Sequence, residues 1–419
     1  MATRKTPVIT PKGIMKHEDF RSALHAADFK SLRRDPRIRV RNEQEFEAMR
    51  AHLLSLHGDV EVVQSYTDAA GHIFDCVPVE QQPSLKGTGA QLAKPPELSR
   101  IVGGRPTGPA EPLRAAPSGT DRYGNATQCP PGHVPVRRVT LDEMARFPTL
   151  KDFFRKTSAK ALAPSSPNAD VSQNHRYAYE IQVADNFGAH NFLNVWAPAV
   201  GANQIFSLAQ HWYSGGTGNA HQTLEVGWQV YPDKYGHNQP ALFIYWTADN
   251  YQTTGAYNLD GPGFVQTNPA WPLGGAISPV STDGGTQYEL QVAVYLFQGN
   301  WWLYLGGTGA GDTVGYFPTS IYNGGAMANH ASQFLCGGET VCDGSGTWPG
   351  MGSGAFASTG WQHAAYQRDI FIFPTAGGAQ YATLGGQHPS PGCYTEALGN
   401  TSAPWNVYFF FGGPGSGNC

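Results

Sequence analysis

The sequence predicts an all-β domain, an antiparallel β-sandwich or jelly roll with a substrate groove, preceded by a smaller α+β segment. Three observations predict it. Beyond about residue 174 the chain breaks into short stretches of period-two alternation separated by Gly, Asn or Pro, the pattern of strands and turns. Glycine (51) and proline (31) are abundant and charged residues make up 14% of the 419-residue chain, which suits short strands better than helices. Charge also divides the chain. Residues 1–160 hold 25 of the 28 Lys and Arg against 18 of the 32 acids, net +7. Residues 161–419 hold three, Arg176, Lys234 and Arg368, against 14 acids, net −11. Such asymmetry marks two bodies of opposite sign, one suited to dock on the other.

Taken in order, Asn42 caps a helix that carries Phe46, Met49 and Leu53 on one face. Residues 81–120, rich in Pro and Gly, read as an exposed loop. Thr140-Leu-Asp-Glu143 has capping-box spacing and opens a helix, and a second helical stretch covers Leu150 to Arg155. Residues 157–173, rich in Ser, Ala and Pro, form the linker between an N-terminal segment (1–156) and a β domain (174–419). In Thr223-Leu-Glu-Val-Gly-Trp-Gln-Val230 the even positions are apolar and the odd ones polar or glycine, so one strand has two unlike faces. Stretches 242–246, 288–296, 301–305 and 370–373 read the same way. Aromatics on both faces mean either a groove-lining sheet face or two packed sheets burying both.

Several function classes drop out. No apolar run is long enough to span a membrane. The basic charges of the first half alternate with acids and accompany no nucleic-acid motif, so no nucleic-acid partner is expected. His211, His221 and His237 do not form the H-E-x-x-H spacing of a zinc peptidase, so no metal is expected. Gly352-Ser-Gly354 lacks the full nucleophile elbow, and no phosphate loop or dinucleotide fingerprint calls for a cofactor. The first residues lack the apolar stretch of a secretory signal, whereas six cysteines and the sequons at Asn125 and Asn400 fit a secreted protein.

What remains for chemistry is carboxylates. Glu225 stands on the polar face of its strand with Gln229 further along that face; Trp228, on the other, belongs to the core. Glu339 lies in Cys336-Gly-Gly-Glu-Thr-Val-Cys342, where small neighbours let a substrate approach, although a turn bearing an exposed Glu reads equally well. Glu289 sits on a strand too, and the pattern alone does not separate it from the other two. Two carboxyls beside one water cannot both ionise easily. The ionised one can take a proton from water while the protonated one donates to the leaving amide, with no metal or nucleophilic side chain.

Read together, the segments Asp75-Cys-Val77, Cys129-Pro-Pro-Gly-His-Val-Pro-Val-Arg-Arg138, Asn194-Val-Trp196, Leu224-Glu-Val-Gly-Trp-Gln-Val230, Tyr245-Trp-Thr-Ala-Asp-Asn-Tyr251, Gly337-Gly-Glu339 and Phe411-Gly-Gly-Pro414 resemble the neprosin-type glutamic peptidases over most of the chain. The resemblance implies a catalytic pair, Glu225 and Glu339, an inhibitory prosegment bound to the catalytic domain, activity at acid pH and cleavage on the carboxyl side of proline. It makes Gln229, Trp212, Trp246 and Gly338 substrate-binding candidates, and proline-containing peptides the partners of a secreted monomer. The disulfides expected are Cys76–Cys129, Cys393–Cys419 and, flanking Glu339, Cys336–Cys342. Pro164 and Pro167 become self-processing points, released when acid protonates the carboxylates that hold the basic segment. Ala256 and Gly261 stand where plant members carry two cysteines. Two other readings share these features: a jelly-roll glycoside hydrolase with two carboxylates beside an aromatic groove, and a non-catalytic carbohydrate-binding sandwich. An inhibitory segment favours the peptidase.

Overall fold

The structure is a computed structural model and describes residues 9–86, 91–102, 109–112, 119–156, 174–344, 346–387, 390–415 and 419. The expected linker, 157–173, with Pro164 and Pro167, lies outside the described residues.

In the first 156 residues the chain runs through α1 (His17–Ala26), α2 (Phe29–Leu32), α3 (Glu43–His57), β1 (Gln64–Thr67), β2 (Ile73–Pro78), α4 (Ser99–Val102), β3 (Glu111–Pro112), β4 (His133–Arg137), α5 (Leu141–Met144) and α6 (Leu150–Phe154). The capping signals hold. Asn42 accepts from the Glu45 N–H at 2.9 Å, and Thr140 and Glu143 close a reciprocal capping box. Phe46, Met49 and Leu53 are buried on one face of α3. Strands β1, β2 and β4 make a small antiparallel sheet, stapled by Cys76–Cys129 with Cα atoms 5.4 Å apart. Within 81–120, expected as exposed loop, Gln82 and Leu98 are instead fully buried. Gln82 holds the backbone of Gln266 through two hydrogen bonds of 2.7 and 2.9 Å.

From residue 174 strands dominate: β5 (His175–Asn194), β6 (Gln204–Gly215), β7 (Gln222–Val230), then a turn of helix, α7 (Pro232–Tyr235), β8 (Ala241–Thr247), β9 (Ala256–Tyr257), β10 (Val265–Gln266), β11 (Tyr288–Phe297), β12 (Asn300–Leu305), β13 (Thr313–Pro318), β14 (Ala331–Cys342), β15 (Ala365–Pro374), β16 (Gln380–Tyr381), β17 (Gly385–Gln387), β18 (Thr395–Asn400) and β19 (Val407–Gly412). One hydrogen-bonded path, β10-β13-β12-β11-β5-β14-β6-β7-β8-β9, curls round on itself, all antiparallel. The 20-residue β5 makes the curl possible. Its first half pairs with β14 and its second with β11 and β15, so one strand belongs to both walls. Leu224, Val226 and Trp228 of β7 face Trp301, Leu303 and Phe334 in the core between the walls, as the alternation predicts.

The other face of β6, β7 and β8 is covered by the N-terminal part. Phe46, Met49, Leu53, Phe147 and Phe153 pack there with Phe206, Leu208, Phe243, Tyr245 and Tyr257 in a second apolar cluster. Cys393 and Cys419 are bonded. Cys336 and Cys342 are not: both are buried free thiols. They begin and end one extended run of β14, and six steps of about 3.3 Å hold them roughly 20 Å apart, far beyond the reach of a disulfide. The sequon Asn125 is also spoken for, since its amide is buried and donates to Lys12 O at 2.9 Å.

Candidate active site

Strand register brings Glu225 and Glu339 together. On β6, Trp212 lies opposite Glu225 of β7 and Leu208 lies opposite Glu339 of β14, so both glutamates rise from one face of the sheet with Gln210 between them. Gln210 has Gly227 on one side and Gly337 on the other. A Cβ at Gly227 would fall 2.1 Å from Ala209 O, and one at Gly337 would crowd Ala178 O and Tyr179, so this stretch of floor admits no side chain but the glutamine. Glu339 therefore stands mid-strand and not on a turn.

Both carboxylates are buried and fully engaged. Glu225 accepts from Tyr251 Oη at 2.8 Å and Thr223 Oγ1 at 3.1 Å. Tyr251 reaches it from a tight turn in which Asn250 (φ 56°) and Tyr251 (φ 62°) are both left-handed and the Asp249 carboxylate accepts three backbone N–H groups, a local cost that fixes the ring. Glu339 lies 2.7 Å from His175 Nδ1 and accepts from Tyr177 Oη at 3.2 Å.

The remaining partner comes from the N-terminal part. Lys156 is buried, its ammonium contacts Glu225 Oε2, and it lies 2.8 Å from Glu339 Oε2 and 3.1 Å from Gln210 Oε1. Burial opposes a charge on Lys156, but the two carboxylates outweigh it and lift its pKa. Burial likewise works against an ionised Glu339, yet the Lys156 ammonium and the His175 hydrogen bond win and hold its pKa at about 2. Lys156 and His175 stand at the two ends of residues 157–173, and both touch Glu339.

Of the other expected residues, Trp212 is on the face beside Glu225, packed against Tyr179 at 5.6 Å. Gln229 shares the face, but it is buried beside Tyr257 and its carbonyl oxygen has no hydrogen-bond partner among the described residues. Trp246 pairs with Leu224 and so points away from Glu225, its indole N–H donating to Pro262 O. Gly338 is also on the far face, where a Cβ would meet Met351 Sδ at 2.5 Å, so its smallness serves packing. Glu289 is settled as structural: Arg368 holds both its oxygens in a fully buried pair, joined by Tyr366 Oη at 3.0 Å. Sequence reading missed Lys156, Gln210, Tyr251, His175 and Tyr177. Only Tyr251 left a trace, as the last residue of the segment Tyr245-Trp-Thr-Ala-Asp-Asn-Tyr251.

Among the described residues one cluster, His17, His57 and Asp75, has ligand-like spacing. It is remote in the chain from the glutamates, and Arg138 already binds both oxygens of Asp75, a charge that disfavours a cation.

The family model described as Neprosin matches residues 203–414, just over half of the chain. This chain belongs to the Neprosin family. Membership supports a peptidase of the glutamic class. Among solved structures, the chain is similar to scytalido-glutamic peptidase with a peptide-based transition state analogue, at 12% identity over 56% of this chain and 97% of that one, TM-score 0.29. It is also similar to SCP-B, a member of the Eqolisin family of peptidases in a complex with the tripeptide Ala-Ile-His, at 11% identity over 57% and 97%, TM-score 0.27. Superpositions this loose carry no argument about the site.

Proposed function

We propose that this Neprosin-family chain is a secreted glutamic endopeptidase made as a zymogen, which cuts on the carboxyl side of proline in acid. The observation that carries the reading is the Lys156 ammonium lodged between Glu225 and Glu339. A buried cation there keeps Glu339 ionised and fills the space that a water and a scissile carbonyl need. Once Lys156 leaves, two adjacent buried carboxyls share a proton in acid. The ionised member takes a proton from water and the protonated one donates to the leaving nitrogen. Tyr251 and His175 fix the two carboxyls, and the exposed edge of Trp212 offers an apolar wall for a proline ring. Two disulfides fit an oxidising compartment, and no helix is long and apolar enough to cross a membrane.

The acid trigger rests on histidines more than on the carboxylates. With Glu339 held at about 2, its pair with Lys156 outlasts mild acid. His57, at the end of α3, is different. Burial, helped by the nearby His17, Arg138 and His52 and opposed by Asp75, pushes it down to about 3. Its pKa in the fold is below the ordinary 6.5, so the unfolded chain binds the proton first. The fold pays no penalty above pH 6.5, and one on the order of 4 kcal/mol grows as pH falls toward 3. His237, at the seam between the two parts, is pushed to about 4 by burial and by His72. Acid therefore loosens the N-terminal part and its seam, and Lys156 is withdrawn with it.

The test is acidification of full-length protein to about pH 3–4, the range of the reference carboxyl values, followed by mass spectrometry of the chain and of added proline-containing peptides. Cuts within 157–173 and after proline, absent in Glu225→Gln and Glu339→Gln, support the reading. Intact peptides beside a chain that has lost residues 1–156 sink it.

A further inference from the structure

A second aromatic surface lies on β19 and on the loops that precede β15 and β19, segments that supply nothing to the glutamate pair. Trp361 meets Trp405 edge-on at 5.4 Å, and Trp405 in turn packs on Tyr408 at 5.1 Å and Phe410 at 5.7 Å. With Thr401 these rings line a cleft of about 240 Å³. It is pre-formed: Asp369 N–H donates to Trp405 O at 2.8 Å and Asn406 donates to the Asp369 carboxylate at 2.7 Å, which clamps the loop that carries Trp405. Rings of this size left half-exposed on a rigid loop are an interaction surface in waiting.

The chain itself shows what the surface accepts. Pro109, largely exposed, forms one wall of the cleft, and the next residue, Ala110, is buried. Glu111 then donates its N–H to Gln287 O at 2.9 Å, and β3 pairs in parallel with Tyr288 and Glu289 of β11. An extended, proline-bearing segment thus pairs with the edge of β11 while its Pro109 stands beside the rings as a wall of the cleft. That combination suits a polypeptide: the sheet edge binds any backbone, and aromatic grooves favour proline because its ring packs flat and loses little entropy. A sugar can stack on the rings but has no use for the edge of β11.

We infer that the Trp361–Trp405–Tyr408–Phe410 cleft, together with the neighbouring edge of β11, is a docking site for an extended proline-containing segment of a polypeptide substrate. Residues 109–112 occupy that edge and wall the cleft in the full chain. The inference rests on the proposed peptidase reading only for the event that uncovers the cleft and for what the docked chain is used for.

Binding is tested without cleavage, in full-length Glu225→Gln protein. The probe is a fluorescein-labelled peptide of residues 104–113, Gly-Arg-Pro-Thr-Gly-Pro-Ala-Glu-Pro-Leu, followed by anisotropy. Ala110→Asp places a charge where the segment is buried and frees the edge of β11 beside the cleft. We expect the probe to bind this variant about tenfold or more tighter than the parent, and replacement of its prolines by serine to weaken it about tenfold. Trp405→Ala in the same background should abolish the gain; Trp361→Ala, at the rim, covers the case in which loss of Trp405 unfolds the loop. No difference between parent and Ala110→Asp, equal binding of the serine peptide, or preferential binding of labelled chitohexaose each overturns the inference. Failure of peptide cleavage by the unmutated enzyme, with this binding intact, counts against the peptidase reading and not against the site.

Discussion

Lys156 Nζ lies 2.8 Å from Glu339 Oε2, and the lysine belongs to the part of the chain that also lays an apolar cluster on the same sheet. In the proposed zymogen the inhibitory element is thus a charge set beside an apolar pad. Removing the charge and removing the pad have different consequences.

Lys156→Met strips the cation from two buried carboxylates, a change that costs about 3–5 kcal/mol when one partner of a buried pair is lost. We expect self-processing to begin nearer neutral pH than in the parent, with Lys156→Arg close to the parent. A pH series read by gel and mass spectrometry checks this; an unchanged threshold in Lys156→Met means the pad alone inhibits.

His57→Phe keeps a ring against Phe20, 5.5 Å away, and removes the group that acid charges. The processing threshold should fall by about one pH unit. If it rises or stays put, the histidine is not the trigger.

Glu225→Gln and Glu339→Gln should each lower kcat on the order of 10²–10⁴-fold with little change in thermal midpoint of the processed enzyme. Glu289→Gln should do the reverse. It strands the fully buried Arg368, so stability falls by about 3–5 kcal/mol while the folded fraction keeps its kcat. Calorimetry and active-enzyme kinetics on the same samples separate the two behaviours.

The sequence made the three glutamates visible but not their difference. Period-two alternation put Glu225 on the polar face and Trp228 in the core. Glu289 had the same parity argument, and what disqualifies it is Arg368, 79 residues away. The helix caps at Asn42 and Thr140 were legible because caps are local. Partners that meet through register, such as Gln210 opposite Gly337, were not, because register is a property of two strands. The Cys336–Cys342 pairing failed for a related reason: closeness in sequence suggests a loop, and an extended strand turns it into distance.

The thiols offer a direct check. In folded protein neither Cys336 nor Cys342 should react with a thiol reagent, and two equivalents should react on denaturation without reductant. Replacing Cys76 and Cys129 by alanine should weaken the N-terminal part by about 2–4 kcal/mol and raise the processing threshold.

Residues 157–174 join Lys156 to His175, and both of these anchors touch Glu339. While that connection is intact the lysine is held at its target at a fixed effective concentration that no dilution changes. One cut in the connection makes it the tail of a separate molecule, whose occupancy depends on the volume around it. On the proposed zymogen reading, a crowded vesicle and open fluid then set different activities for the same processed enzyme at the same pH.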